Sequence, residues 1–258
     1  MKTSLFRLLK GEIFKMKKES SFYLILCFPI LVFLFADGYI ICDLTGLTEF
    51  AVNPWAFLLQ RYIWPFYALL YPIVISVFCF SILDIEYKNN YLSKMPTLPV
   101  SMFDVFGTKI LFAAIVLFVS SLLTYFLLLG SGFMLEYLYP AYFFADYDYG
   151  LANFVFFIRL FVASFAIASL QLFLSIVFKT FVIPICVAGA GTILSLIVHN
   201  WEYAIFVPYT YVFHVLDKYT SANNKLLDKS MLVSMSLIIL FITLSSLIFV
   251  YRKKSYKS

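Results

Sequence analysis

The chain has 258 residues, of which 63% are hydrophobic and 13% are charged, and its net charge is +5. Its mean hydropathy is +0.95, and a water-soluble domain of this size cannot bury that much apolar surface. The composition therefore excludes most soluble enzymes. It predicts an all-α membrane protein with a single domain over residues 1–258, embedded in a lipid bilayer and without a nucleic-acid partner.

The amino-terminal residues have an amphipathic pattern at helical spacing. We expect residues 1–21 to contain a helix that lies in the membrane interface with its basic face toward anionic headgroups. The alternative is a basic anchor without that helix. The apolar face comprises Leu5, Leu8, Leu9, Ile13 and Met16, and the basic face comprises Arg7, Lys10, Lys17 and Lys18.

Six apolar stretches follow along the chain, and each is long enough to cross a bilayer. A spanning helix needs about 20 apolar residues at ~1.5 Å per residue. Small residues in the fifth stretch, such as Gly189 and Gly191, predict a face on which helices pack closely. The predicted transmembrane helices cover residues 22–41, 62–83, 110–129, 151–178, 181–198 and 231–251.

The distribution of Lys and Arg predicts the orientation of these helices. Most of the 19 basic residues lie before the first stretch, in the second and fourth links and in the tail. Cytoplasmic loops carry such an excess, so both termini are predicted to be cytoplasmic and the number of crossings even. A seventh crossing near Trp201–Tyr219 would reverse the tail, and Pro208 and His214 interrupt that stretch. We therefore interpret residues 199–229 as a re-entrant hairpin on the outer side.

The longest cytoplasmic link, residues 84–109, contains a short apolar helical face. Tyr91, Leu92 and Met95 share that face, and Pro96 ends the short helix. A short helix with exposed apolar residues is typical of an element that docks into a groove of another protein. The alternative is a solvated loop in which the same side chains fold underneath.

A second helix is predicted to begin near Met102, at the end of this link. Ser101 with Asp104 three residues later resembles a capping box. A helix from there to Leu129 has about 28 residues and a length of ~42 Å, which exceeds the ~30 Å apolar core. Its first turns are therefore expected to project into the cytosol.

The outer link, residues 133–150, combines acidic and aromatic side chains without Lys or Arg. One interpretation is an aromatic belt at the level of the outer headgroups. The other is an acidic, aromatic vestibule for a cationic amphipathic ligand. Its acidic residues are Glu136, Asp146 and Asp148.

Two ionisable residues, Asp37 and Arg159, lie within or at the edge of predicted transmembrane helices. A charge at that depth is costly and usually faces the bundle interior. The two residues are predicted to lie at similar depth, so they could form an ion pair that holds the bundle together or could contact a substrate.

Several catalytic and cofactor motifs are missing from the sequence. It has no phosphate-binding loop, no H-E-x-x-H and no G-x-S-x-G elbow. His199 and His214 with Glu202 do not have a diagnostic metal spacing, and the four cysteines fit neither a zinc site nor a disulfide framework. We therefore expect no enzyme activity, no metal and no cofactor bound by this chain.

The overall layout resembles permease subunits of the second type of ABC exporter. The resemblance rests on the basic amphipathic start, the six apolar stretches with both ends inside, and the longer second link. In that link Glu86 precedes a short helix around residues 91–95, Leu98-Pro99 follows, and Lys109 lies at the start of the next predicted transmembrane helix. The aromatic run at residues 206–211 resembles the bacitracin and lantibiotic immunity branch.

The resemblance implies a partner ATPase that binds ATP and Mg²⁺, and a second permease subunit. Residues 84–109 would be the coupling segment, with Glu86, Tyr91, Leu92, Met95 and Pro99 contacting or positioning the ATPase. The substrate would be an amphipathic molecule such as an antimicrobial peptide, moved outward across a bacterial cytoplasmic membrane. The alternatives are an ATP-independent transporter or channel, and a membrane assembly protein without a transport role.

Overall fold

The computed structural model describes residues 5–42, 53–88, 101–140, 144, 147, 150–220 and 227–255. Regular structure in these ranges is helical and includes no strand. We number the longer helices in chain order as α1 (Leu5–Met16), α2 (Ser20–Cys42), α3 (Pro54–Lys88), α4 (Met102–Leu138), α5 (Gly150–Phe178), α6 (Val182–Val198), α7 (Tyr211–Thr220) and α8 (Lys229–Ser255).

Five of these helices, α2, α3, α4, α5 and α8, are long and apolar enough to cross a membrane. Helix α6 is also apolar but has 17 residues, which corresponds to ~25 Å and is slightly shorter than the ~30 Å hydrocarbon core. The chain is therefore an all-helical, multi-pass membrane protein, as the composition predicts. The number of crossings and the side on which the termini lie stay predictions.

Helix α5 lies at the centre of the bundle. It packs against α3, α4, α6, α7 and α8, and it has the largest buried fraction among the five long helices. Helices α2 and α4 pack against each other on one side, and α1 lies across α4. Helix α8 has the smallest buried fraction, so most of its apolar surface is left for lipid or another protein.

Helix α3 begins earlier than predicted, at Pro54 instead of residue 62. Asn53 caps it, because its side-chain oxygen accepts a hydrogen bond of 3.4 Å from the Ala56 N–H, and proline is favoured at the first helical position. A π-helical turn at Leu59–Ile63 interrupts the α-helix. Its polar residues Gln60 and Arg61 are exposed, which explains why hydropathy alone placed the start too late.

Helix α4 begins as predicted, at Met102, with Ser101 as its cap. The Asp104 N–H donates to Ser101 Oγ over 3.0 Å. The helix then continues to Leu138, nine residues beyond the predicted end at Leu129. It continues because Gly132 contacts the Trp55 ring of α3, and close packing of this kind offsets the weak helix propensity of glycine.

The segment between α6 and α8 contains two 3₁₀ turns, Glu202–Phe206 and Pro208–Thr210, followed by α7. Ten residues of α-helix rise ~15 Å, which is half of the apolar core. The Tyr209 hydroxyl receives a hydrogen bond from Gln171, and the Tyr219 hydroxyl donates to Asn153 near the opposite end of α5. Helix α7 therefore runs antiparallel to α5. A re-entrant path on the outer side remains a prediction consistent with this course.

Candidate functional site

The two helices on either side of residues 89–100 are joined by a buried ion pair. Glu86 lies in the last turn of α3, and Lys109 lies in the second turn of α4. The Lys109 Nζ is 2.8 Å from the Glu86 Oε1, and the two side chains are 0% and 1% exposed. Residues 89–100, which connect these helices, lie outside the described residues.

Lys109 has three close oxygen partners, two through hydrogen bonds and one, the Glu86 Oε1, through the ion pair. Besides Glu86, its Nζ donates to the Glu12 Oε2 over 3.0 Å and to the Ile82 carbonyl over 3.1 Å. A buried charge is tolerated only when it is paired and hydrogen-bonded. Lys109 therefore holds α1, α3 and α4 together at one point.

Lys15 completes a cluster of two carboxylates and two ammonium groups. Its Nζ donates to the Glu12 Oε1 over 2.9 Å and lies 3.7 Å from the Glu86 Oε1. The Lys15 side chain is 36% exposed, so this ammonium also faces solvent. We call Glu12, Lys15, Glu86 and Lys109 the four-charge cluster, and its formal charge is zero.

Local sequence places α1 so that this cluster can form. Lys15 and Met16 follow Glu12 by three and four residues, so each lies on the same helical face as Glu12. Met16 is fully buried and Glu12 is nearly so, which shows that this face is the one directed inward. At the other side, the Tyr87 hydroxyl donates to the Ser175 carbonyl over 3.3 Å and ties the end of α3 to α5.

The lysines control the protonation of Glu12. Burial alone would raise the pKa of this carboxyl, but the nearby Lys109 and Lys15 outweigh burial, so the pKa of Glu12 lies below its usual value of 4.5. Glu12 is therefore ionised at neutral pH.

The structure adds two residues to the sequence-predicted site. Neither Glu12 nor Lys15 was among the expected site residues. Both could have been suggested by the pattern itself, because an acid and a base three residues apart lie on the same face as Met16. Tyr91, Leu92, Met95 and Pro99 lie outside the described residues.

Asp37 and Arg159 are not brought together. The Asp37 Oδ2 accepts a hydrogen bond of 2.8 Å from Ser131 of α4. Arg159 is 3% exposed and lines a cleft with Lys218 and His214. Asp37 of α2 therefore contacts α4, whereas Arg159 of α5 faces α7 and α8.

Of the three acidic residues of the predicted outer vestibule, Glu136 lies among the described residues. The Glu136 Oε2 accepts a hydrogen bond of 2.7 Å from the Phe144 N–H, and the Trp55 indole donates to the Phe144 carbonyl over 3.1 Å. These contacts attach the outer link to α3 and α4. Asp146 and Asp148 lie outside the described residues.

Metal binding finds no support where the structure is described. No group of three or more His, Cys, Asp or Glu residues there could hold a metal ion. The His199 ring stacks on Phe213 with a centroid distance of 5.1 Å. The four-charge cluster links three helices through ion pairs.

Comparison with known protein families gives a match over most of the chain. A family model described as "ABC-2 family transporter protein" matches residues 8–195, which is most of the chain and includes the whole four-charge cluster. No curated protein matches this sequence, and no solved structure does.

Proposed function

The chain belongs to the ABC-2 family of transporter proteins, and from this premise we propose that it is an exporter subunit driven through its coupling segment. Membership makes it a membrane component of an ABC transporter, a class that works with an ATPase subunit. The absence of a phosphate-binding loop from the sequence agrees with ATP hydrolysis on a separate chain.

The observation that carries this proposal is the position of the four-charge cluster. Glu86 and Lys109 precede and follow residues 89–100, and their ion pair holds the two ends of that segment at a fixed separation. A force applied to the segment would therefore act on α3 and α4 together. Glu12 and Lys15 extend this unit to α1.

Our proposed mechanism assigns a role to each part of the segment. Tyr91, Leu92 and Met95 seat in an apolar groove of the ATPase, and Pro99 ends the contact before α4 begins. ATP and Mg²⁺ bind to the ATPase. When the ATPase closes, it moves the ends of α3 and α4 as one body, because separating them would leave Glu86 buried without its partner.

The remaining features of the proposal rest on the resemblance in sequence. They are a second permease subunit, outward transport of an amphipathic antimicrobial peptide, and a location in a bacterial cytoplasmic membrane. The structure limits how the aromatic run at residues 206–211 could take part. Tyr209 and Tyr211 are buried in the bundle, whereas Phe206 is 60% exposed, so a substrate could contact Phe206 without displacing packed side chains.

Co-purification with the ATPase tests the proposal. The tagged chain is extracted in mild detergent, and its partners are identified by mass spectrometry. Wild-type protein should recover a soluble ATPase with a phosphate-binding loop, and Leu92→Asp or Met95→Asp should lose it because a charge cannot enter an apolar groove.

Leu227→Asp is the matched control, because Leu227 is 63% exposed and is far in sequence from the coupling segment. This variant should retain the ATPase. Normal recovery of the ATPase with both Leu92→Asp and Met95→Asp would refute the proposed docking site. Recovery of the wild-type chain alone, alongside a control ABC complex that stays intact, would refute the exporter function.

A further inference from the structure

His214 lies in the middle of α7, the ten-residue helix that packs against α5 and the start of α8. It lines a cleft between these helices together with Arg159, Lys218 and Ser230. Its Nε2 is buried and has no hydrogen-bond partner among the described residues. A neutral imidazole fits this environment with one unused hydrogen-bonding group, whereas an imidazolium would bring a full charge into it.

Two basic side chains already lie beside His214. Arg159 of α5 is 3% exposed. Lys218 follows His214 by four residues, so these two side chains share one face of α7. Asp228 balances both bases, because its Oδ2 is 2.8 Å from the Lys218 Nζ and it also attracts Arg159. An imidazolium at His214 would therefore add a third positive charge and compete with Lys218 and Arg159 for this carboxylate.

The remaining ionisable groups near His214 are exposed, weakly basic or already hydrogen-bonded. Asp217, its neighbour on α7, is exposed, so solvent weakens its attraction for His214. His199 at the end of α6 is a second weak base. The Tyr211 hydroxyl donates to a backbone carbonyl of the preceding 3₁₀ turn over 2.8 Å. Residues 64–69 of α3, which also pack against α7, contain no charged side chain.

These surroundings favour the neutral form of His214. Burial is the main cause, and it lowers the pKa of His214 below the usual value of 6.5. The attraction of Asp217 and Asp228 opposes this effect in part, and the repulsion of Lys218 and His199 adds to it. His214 is therefore neutral at pH 7 in the folded protein.

We propose that protonation of His214 loosens α7 from α5 and from the segment ahead of α8, which makes this part of the protein acid-sensitive. Two contacts hold the end of α7 that follows His214. The Lys218 Nζ pairs with Asp228 at 2.8 Å, and the Tyr219 hydroxyl donates to the Asn153 Oδ1 of α5 over 2.7 Å. An imidazolium weakens the ion pair by competing for Asp228, and any buried charge left without a partner opposes the packing of α7.

The direction of the effect follows from the lowered pKa of His214. Because the opened chain takes up the proton more readily, the packed state of α7 is fully stabilised above pH ~6.5. That stabilisation is lost as the pH falls below ~6.5 toward the lower pKa of the packed state. The response is independent of the proposed ATPase coupling, because none of these residues lies in the four-charge cluster or in residues 89–100.

Hydrogen–deuterium exchange of the full wild-type chain in a neutral detergent tests the proposal. Exchange is measured at pH ~7.5 and pH ~5.5, with labelling times scaled for the intrinsic pH dependence of exchange. Peptides from α7 should exchange about three- to tenfold faster at the lower pH, since proton uptake one unit below an unfolded pKa of ~6.5 shifts an opening equilibrium by at most about tenfold. Peptides from α4 should not change.

Two variants identify the responsible group. The sequence has two histidines, His199 and His214, and histidine is the side chain whose ordinary pKa lies in this pH range. His214→Gln should abolish the acid response of α7, and His199→Gln should retain it. If His214→Gln does not fold, His199→Gln decides, because a response that it retains comes from the other histidine.

The outcomes separate a local response from a general loss of stability. Faster exchange that is confined to α7, absent from His214→Gln and retained in His199→Gln supports the proposal. Unchanged exchange of α7 in the wild type at the lower pH would overturn it. Equal acceleration in α4, a response that persists in His214→Gln, or a response that disappears in His199→Gln would overturn it as well.

Discussion

The Lys109 ammonium and the Glu86 carboxylate lie 2.8 Å apart on either side of residues 89–100, and both side chains are excluded from solvent. Glu12 of α1 is a second partner of the same ammonium, at 3.0 Å. Three helices therefore meet at a single buried charge. Any motion that separates one of them from the others exposes or isolates that charge, which favours movement as a unit.

Removal of the Lys109 charge should strongly destabilise the protein. Lys109→Met leaves Glu12 and Glu86 buried together with only the partly exposed Lys15 as a partner. Breaking a buried ion pair by removing one partner typically costs about 3–5 kcal/mol, and thermal unfolding in detergent measures the effect. Lys88→Met, which breaks the exposed pair with Asp84, should change the midpoint little. Equal midpoints for both variants would contradict the central role of Lys109.

Neutralising Glu86 should partly restore the stability that the Lys109→Met variant loses. In the double variant Lys109→Met/Glu86→Gln, one of the two buried negative charges is removed, so the protein should unfold at a higher temperature than Lys109→Met alone. The comparison uses the same unfolding assay. A double variant that is less stable than the single one would show that Glu86 and Lys109 act independently.

The contribution of Glu12 should depend on pH in a defined direction. Because its pKa is lowered in the folded protein, its ionised form stabilises the fold above the usual pKa of 4.5. That stabilisation is lost as the pH falls through the lowered folded value. The difference in unfolding midpoint between wild type and Glu12→Gln should stay constant from pH 7 to pH ~5 and shrink below pH ~4.5. A difference that disappears between pH 7 and pH 6 would be inconsistent with this assignment.

Gly132 is expected to tolerate no side chain. A Cβ at this position would overlap the Trp55 ring, and Trp55 is 5% exposed and fixed by its bond to the Phe144 carbonyl. Gly132→Ala should therefore cost about 1–3 kcal/mol through overpacking. Gly130→Ala is the matched control, because a Cβ there would contact nothing within 4 Å. In thermal unfolding, the midpoint of Gly130→Ala should be higher than that of Gly132→Ala, and the reverse order would contradict the contact between Gly132 and Trp55.

A side chain at Gly191 should also destabilise the protein, in this case by breaking a buried hydrogen bond. A Cβ would overlap the Tyr209 ring, whose hydroxyl accepts a hydrogen bond of 2.6 Å from the Gln171 Nε2. Gly191→Ala should displace Tyr209 and leave the Gln171 amide unsatisfied, at a cost of about 1–3 kcal/mol. Gly189→Ala, with open space at its Cβ, should be neutral or slightly stabilising. Equal unfolding midpoints for the two variants would show that Tyr209 is not fixed there.

Local features of the chain were predictable from the sequence. The start of α4 follows from Ser101, whose hydroxyl accepts the Asp104 N–H, and this contact depends on residues three positions apart. The amphipathic first helix and most of the long apolar helices follow from periodicity and hydropathy in the same way. The match to residues 8–195 confirms the resemblance to ABC-2 permeases, and the bacitracin and lantibiotic immunity branch stays a prediction.

Features that depend on how helices rotate against each other were not predictable. Asp37 and Arg159 were expected at similar depth, but Asp37 contacts Ser131 of α4, because depth along a helix does not determine which neighbour its side chain faces. The partner of Glu12 follows from the packing of α1 on α4 beside Lys109, which periodicity along α1 does not reveal. Both outcomes depend on residues about 95 positions apart in sequence.

Photo-cross-linking at the coupling segment is the most direct test of its proposed role. A photoreactive amino acid replaces Leu92 in the full chain, and in a control it replaces Leu227, which is 63% exposed. Illumination of native membranes should link position 92, but not position 227, to an ATPase that contains a phosphate-binding loop. An ATPase that co-purifies with the chain yet cross-links at neither position, or equally at both, would contradict docking through residues 89–100.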